Sequence, residues 1–224
     1  MAAPRSSCPS VEVVLFDNDG TLTDSIPAVA RATNAALQSH GFPEVSTEEI
    51  ADGMRYETVR RMARHARIAD DVLALTLSRD FYQHLEKSAA SVRLFDGVKS
   101  TLIKLHEAGI QMGIVSNNRQ LVIERVLEAN GIADYFMFVI GEDTADEPKP
   151  APGGILQVCR LFDVDPEACI MVGDSMSDSL AASAVKMRSV GVSWNHHDRT
   201  PVESMGFTWT IDHPDELIEL ASRN

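Results

Sequence analysis

Apolar and polar positions along the chain fall into two regimes. From Val13 to Phe16 a short unbroken apolar run reads as a strand buried on both faces, and it ends abruptly in Asp17-Asn18-Asp19-Gly20-Thr21. Beyond it Asp24 or Ser25 caps a helix whose first turn tolerates Pro27. Ile26, Val29, Ala30, Ala36 and Leu37 keep its apolar stripe as far as Gly41. Helical spacing continues over residues 47–88: Thr47 with Ile50, then Val59, Met62, Ala63 and Ala66, then Val72, Leu73, Leu75, Leu77, Phe81 and Leu85. No strand signal interrupts this stretch, so it reads as an all-helical unit.

From Leu94-Phe95-Asp96-Gly97-Val98 onwards the pattern alternates. It predicts helices near 98–108, 119–129, 151–162, 177–184 and 214–221, with strands at 110–115, 135–140, 169–172, 188–192 and 207–211. Strands alternating with helices imply a parallel sheet covered on both faces, which the first strand joins. The predicted architecture is α/β, a Rossmann-like doubly wound parallel sheet core with an inserted all-helical cap. Residues 1–10 form an N-terminal tail, 11–23 and 95–224 the core, and 24–94 the cap.

Composition narrows the function. The 224 residues are 44% hydrophobic and 24% charged, with a net charge of −13. Such an acidic surface repels nucleic acid and anionic membrane, so neither is expected as a partner, and a small anionic ligand needs a local basic pocket. Residues 1–10 are polar with no apolar centre, unlike a secretory signal, and no segment is long and apolar enough to span a bilayer. Cys8, Cys159 and Cys169 have no CxxC spacing, which suits buried thiols in a reducing cytoplasm.

In open α/β sheets ligands bind beyond the carboxyl ends of the strands, where the inserted helices are placed to overhang. Asp17 and Asp19 follow the first strand, Ser116-Asn117-Asn118 the strand ending at Val115, and Gly173-Asp174-Ser175 the strand ending at Val172, with Asp178 one turn on. Lys149 lies in Glu147-Pro148-Lys149-Pro150. Carboxylates gathered at one edge need a cation, and all-oxygen ligation suits Mg²⁺. Ser116 and Lys149 supply the donor and charge that a phosphoryl group needs. The residues propose metal-assisted phosphoryl transfer, with a carboxylate nucleophile able to form an aspartyl-phosphate and a second carboxylate moving the proton.

Taken in order, Asp17-Asn18-Asp19-Gly20-Thr21, Ser116, Lys149-Pro150-Ala151-Pro152 and Gly173-Asp174-Ser175-Met176-Ser177-Asp178 resemble the four motifs of the haloacid dehalogenase superfamily. Phe95-Asp96-Gly97-Val98, 131–136 and Val139-Ile140-Gly141 look most like its phosphoglycolate phosphatase branch. The resemblance implies Asp17 as nucleophile and metal ligand, and Asp19 as acid/base that also offers its backbone carbonyl to the metal. It implies Asp174 as a Mg²⁺ ligand, Asp178 as support for the metal site, and Ser116, Asn117 and Lys149 as the phosphate site. The expected partner is a small phosphorylated metabolite, phosphoglycolate first.

Departures within the superfamily sort the alternatives. Asp19 is absent from dehalogenases, residues 22–86 contain no lysine for phosphonate chemistry, and Val29 stands where mutases carry a histidine. Another sugar-phosphate or nucleotide phosphatase, a pyrophosphatase, a phosphomutase and a non-catalytic binding module remain as alternatives. Asn18 replaces a usually apolar residue, and Ala184-Val185-Lys186 ends a helix without the usual glycine. In the cap, Arg60, Arg64 and Arg67 read as a solvated helix face within the run Arg55, Arg60, Arg61, Arg64 and Arg67. Arg55 is the one cap residue expected to touch substrate. His196-His197-Asp198 reads as a surface loop.

Overall fold

The computed structural model describes residues 10–195 and 200–222. Cys8, most of the expected tail and the His196-His197-Asp198 loop lie outside the described residues. Strand β1 (Val13–Phe16) sits at the centre of a six-stranded parallel sheet, between β4 (Gln111–Val115) and β6 (Cys169–Gly173). β5 (Phe138–Ile140) forms one edge, and β7 (Arg188–Val192) leads to β8 (Trp209–Ile211) at the other.

The alternation of β1 side chains explains its continuous apolarity. Val14 and Phe16 enter one core layer with α5 (Val98–Glu107), α6 (Gln120–Asn130) and α9 (Glu216–Ala221). Val13 and Leu15 enter the other with α7 (Gly153–Phe162) and α8 (Met176–Ala184). A strand covered on both faces gains from apolar residues at every position. Among the described residues no helix is long and apolar enough to cross a membrane.

Helices α1 (Ile26–Ser39), α2 (Thr47–Gly53), α3 (Thr58–Ala66) and α4 (Asp71–Ser88) enclose a separate apolar cluster around Leu37, Ile50, Met62, Leu77 and Phe81. Val122 and Val126 of α6 close it from below. The stretch is not wholly helical at its ends. β2 (Thr23–Asp24) pairs antiparallel with β3 (Arg93–Leu94), Thr23 facing Leu94 and Asp24 facing Arg93. Two-residue strands are too short to show a period, which is why the hydrophobic pattern missed them.

Other differences have local causes. The strand expected at 135–140 starts only at Phe138, because Ala133–Tyr135 forms a 3₁₀ turn. Val72 and Leu75, counted in the stripe of α4, are 74% and 57% exposed, and the buried face runs through Ala74, Leu77, Phe81 and Leu85. Lys186 takes the left-handed conformation, φ 57°, that a glycine would adopt without strain.

The buried face of α3 is the largest surprise. It is Thr58, Arg61, Met62, His65 and Ala66, rotated from the expected Val59, Met62, Ala63 and Ala66. Arg60, Arg64 and Arg67 are exposed as expected. Neither ring nitrogen of His65 has a partner among the described residues, and burial, with the Arg61 charge beside it, pushes its pKa down to about 4. The native ring is therefore neutral, whereas the unfolded chain protonates near pH 6.5. Stability falls as pH drops from about 6.5 to 4, by about 3 kcal/mol once complete. Urea unfolding at pH 7.5 and pH 4.5 is expected to show a smaller loss for His65→Leu than for the wild type.

Candidate active site

The polar groups singled out at the strand ends converge on the carboxyl edge of β1, β4 and β6, and Arg55 of the helical block does not join them. The Asp17 backbone N–H donates to Val172 O at 2.9 Å, which fixes its side chain beyond the sheet beside Asp174. Carboxylate oxygens of Asp17, Asp174 and Asp178 lie within 4.8 Å of one another, all buried. The buried Lys149 Nζ stands 3.0 Å from Asp17 Oδ1 and 2.5 Å from Asp178 Oδ1. The second contact is a hydrogen bond, while the first has the distance of an ion pair without hydrogen-bond alignment.

Asp178 serves two elements. It lies in the first turn of α8, where its Oδ2 accepts from the Ser175 N–H at 3.1 Å and from Ser175 Oγ at 2.7 Å, while Oδ1 holds Lys149. One carboxylate thus caps a helix and pairs a cation. Lys149 is held in place by its own backbone. Asn117 Nδ2 donates to Lys149 O at 2.7 Å, and Lys149 N–H donates to Asn117 Oδ1 at 3.0 Å. The Asn117 side chain is therefore committed to the lysine loop and leaves only its backbone N–H for a phosphate.

Electrostatics follow from three acids sharing one lysine. Burial, opposed by Lys149 and reinforced by Asp178 and Asp19, raises Asp17 to about 6. Burial and the charges of Asp17 and Asp178 hold Asp174 well above the usual carboxylate range. For Lys149 burial acts to lower the pKa, but the Asp17 and Asp178 charges outweigh it and hold the ammonium above its ordinary value. The cluster is short of positive charge. A hard divalent cation among oxygen donors would relieve it, so these residues fit the metal that such a donor set binds.

Three neighbours complete the site. Asn118 Nδ2 donates to Asp19 Oδ2 at 2.9 Å, Asn195 Nδ2 to Asp174 Oδ2 at 2.5 Å, and Thr21 Oγ1 to Asp174 Oδ1 at 3.3 Å. Asn195 follows β7, so reading every strand end would have found it. Gly20 is required here by contact as well as by its φ of +83°, since a Cβ would fall 2.1 Å from Asp174 Oδ2. Asn18 is fully buried and neither side-chain amide atom has a partner among the described residues, an unusual choice at a site that suits an apolar residue.

From the helical block, Arg55 is exposed, pairs with Asp52 at 2.5 Å and lies over the Tyr56 ring, in contact with none of these groups. The link to the core comes instead from Tyr82 of α4. Its hydroxyl hydrogen-bonds Thr58 Oγ1 at 2.9 Å and Glu142 Oε1, beyond the end of β5, at 2.5 Å, and Arg119 stacks 3.9 Å from its ring centre. Tyr82 and Glu142 are 60 residues apart, and no sequence spacing announces such a pair.

Comparison with known proteins gives this arrangement a lineage. The chain is 32% identical over 222 residues to the phosphoglycolate phosphatase of Vibrio parahaemolyticus, covering 95% of this chain and 96% of that protein. It is 33% identical over 217 residues to that of Colwellia psychrerythraea, covering 92% and 95%. Among crystal structures, one described as a "predicted phosphoglycolate phosphatase", from Haemophilus somnus, superposes with a TM-score of 0.85 at 24% identity, covering 94% of this chain and 97% of that one. CbbY from Rhodobacter sphaeroides, solved in complex with phosphate, gives 0.81 at 22% identity, covering 92% and 96%. At those identities the structures speak for the fold. A family model for haloacid dehalogenase-like hydrolases matches residues 14–192, from the first sheet strand through β7, and with the curated relatives this shows that the chain belongs to the haloacid dehalogenase-like hydrolase family.

Proposed function

We propose that the chain is a Mg²⁺-dependent phosphatase acting on a small phosphate monoester, phosphoglycolate first, through an aspartyl-phosphate. The observation that carries this reading is the buried cluster of Asp17, Asp174 and Asp178 around Lys149 at the sheet edge. The names of the curated relatives favour phosphoglycolate. The two described cysteines are free and buried, which fits a cytoplasmic setting.

In the first step an Asp17 carboxylate oxygen attacks phosphorus. The P–O bond to the alcohol breaks, and the departing alkoxide takes a proton from Asp19. In the second, Asp19 takes a proton from water. The oxygen attacks the phosphoryl group and releases Asp17 and phosphate. Asn118 orients Asp19 by its 2.9 Å hydrogen bond. Ser116 Oγ and the Lys149 ammonium receive the phosphoryl oxygens, and the Asn117 clamp keeps Lys149 in register. Asp17, Asp174 and the Asp19 backbone carbonyl, with Asp178 in support, would hold a divalent cation, which would supply positive charge to offset the repulsion between a dianionic ester and an anionic nucleophile. Residues 24–94 act as a cap over the strand ends.

Phosphate release across a panel of metabolite esters, with Mg²⁺ and with a chelator, tests the reading. Release is expected to be fastest from phosphoglycolate, to stop on chelation and to return with Mg²⁺. No release from any ester in the presence of Mg²⁺ would sink the phosphatase assignment. Preference for a different ester would replace the substrate and leave the reaction class standing.

A further inference from the structure

Arg61 is a buried cation that no described carboxylate neutralises. The residue is 4% exposed, and among the described residues no carboxylate lies within ion-pair distance of it. Its Nη1 donates to Met54 Sδ at 2.7 Å, its guanidinium lies 4.8 Å from the Phe81 ring centre, and its Nε has no partner among the described residues. A sulfur and an aromatic face are weak company for a desolvated charge. Burying an unpaired ion costs several kcal/mol, a cost that an anion reaching the guanidinium would offset.

Its location identifies the direction from which that anion comes. Arg61 shares the buried face of α3 with Thr58, whose hydroxyl meets Tyr82. Tyr82 in turn bonds Glu142 and lies under Arg119, the residue next to the Asn118 that orients Asp19. Burial holds the Arg61 pKa below its ordinary value, and the nearby Tyr82, Asp19 and Glu142 oppose that, so the guanidinium packs on Phe81 and Met54 while lying within reach of the charges at the sheet edge. Tyr82 already occupies Glu142, which leaves Arg61 open to a ligand.

We propose that Arg61 receives the carboxylate at the far end of the phosphate ester and is the residue by which the helical block selects an acid-bearing substrate. This rests on the phosphatase reading above and adds the residue that reads the substrate's second charge. A planar guanidinium accepts a carboxylate through two parallel N–H donors, a geometry that an alcohol or a methyl end cannot reproduce. The same site gives this acidic protein the local basic pocket that an anionic metabolite needs.

The test compares wild type, Arg61→Met and Arg61→Lys on phosphoglycolate and on 2-hydroxyethyl phosphate, which differs by an uncharged end. Wild type is expected to prefer phosphoglycolate, Arg61→Met to shrink that preference roughly 100-fold in kcat/KM, and Arg61→Lys to recover part of it. Turnover of the uncharged ester reports whether each variant has folded. A preference that survives Arg61→Met, or that falls no more than turnover of the uncharged ester does, would overturn the proposal and make Arg61 a packing residue. Wild type that cleaves both esters equally would overturn it while leaving the phosphatase reading intact. Wild type that cleaves neither ester, nor any of the wider panel, would instead bring down the phosphatase reading itself.

Discussion

Replacing Asp17 by asparagine (Asp17→Asn) is expected to lower phosphate release by at least about 10,000-fold, because the amide offers no anionic oxygen to attack phosphorus. Stability provides a second readout that separates this from misfolding. Burial holds the Asp17 pKa near 6 in the native state, above its ordinary value. Native Asp17 therefore binds protons more tightly than unfolded Asp17, and its ionisation costs stability as pH rises from about 4 through 6. The amide carries no such cost, so without divalent cation the variant is expected to melt at a higher temperature than the wild type at pH 8, and to gain less when Mg²⁺ is added. Thermal melts with and without the cation, beside a phosphate-release assay, check both halves. Turnover close to wild type would remove Asp17 from the nucleophile's role.

Lys149→Met has the opposite effect on the fold. It leaves Asp17, Asp174 and Asp178 buried together without the ammonium that stands 3.0 and 2.5 Å from two of them. Removing one partner of a buried ion pair costs about 3–5 kcal/mol, a drop in Tm on the order of 10 °C for a chain of this size. The loss is expected to be largest in chelator and to shrink as Mg²⁺ supplies the missing charge. Activity falls as well, by roughly 1,000-fold in kcat/KM, since the transferring phosphoryl group loses its fixed cation. A melt unchanged by the substitution would show that the lysine does not hold the cluster together.

Much of this site was legible because sheet topology turns sequence position into spatial position. Asp17, Ser116 and Asp174 each follow a strand, and three adjacent parallel strands bring their ends together. Lys149 was found through its chemistry, and the structure adds the Asn117 clamp that positions it. The helical block was less readable because its informative residues break the binary pattern. Thr58, Arg61 and His65 are polar side chains on a buried stripe, so an apolar period places the face one residue off. Arg55, preferred for its position in a loop, pairs with Asp52 instead. The bond from Tyr82 to Glu142 depends on how α4 docks against the end of β5, and no local rule encodes that.

The ribbon of β2 and β3 bears on how such a molecule came to exist. Thr23 faces Leu94 and Asp24 faces Arg93, so the chain departs from the sheet and returns to it at neighbouring points. Topologically, everything between is one overgrown hairpin loop, and lengthening a loop costs only slowly growing closure entropy. A descendant can enlarge, trim or exchange those helices without re-threading a single strand, so the machinery at the sheet edge can be inherited unchanged while the preference for what enters it is rewritten above.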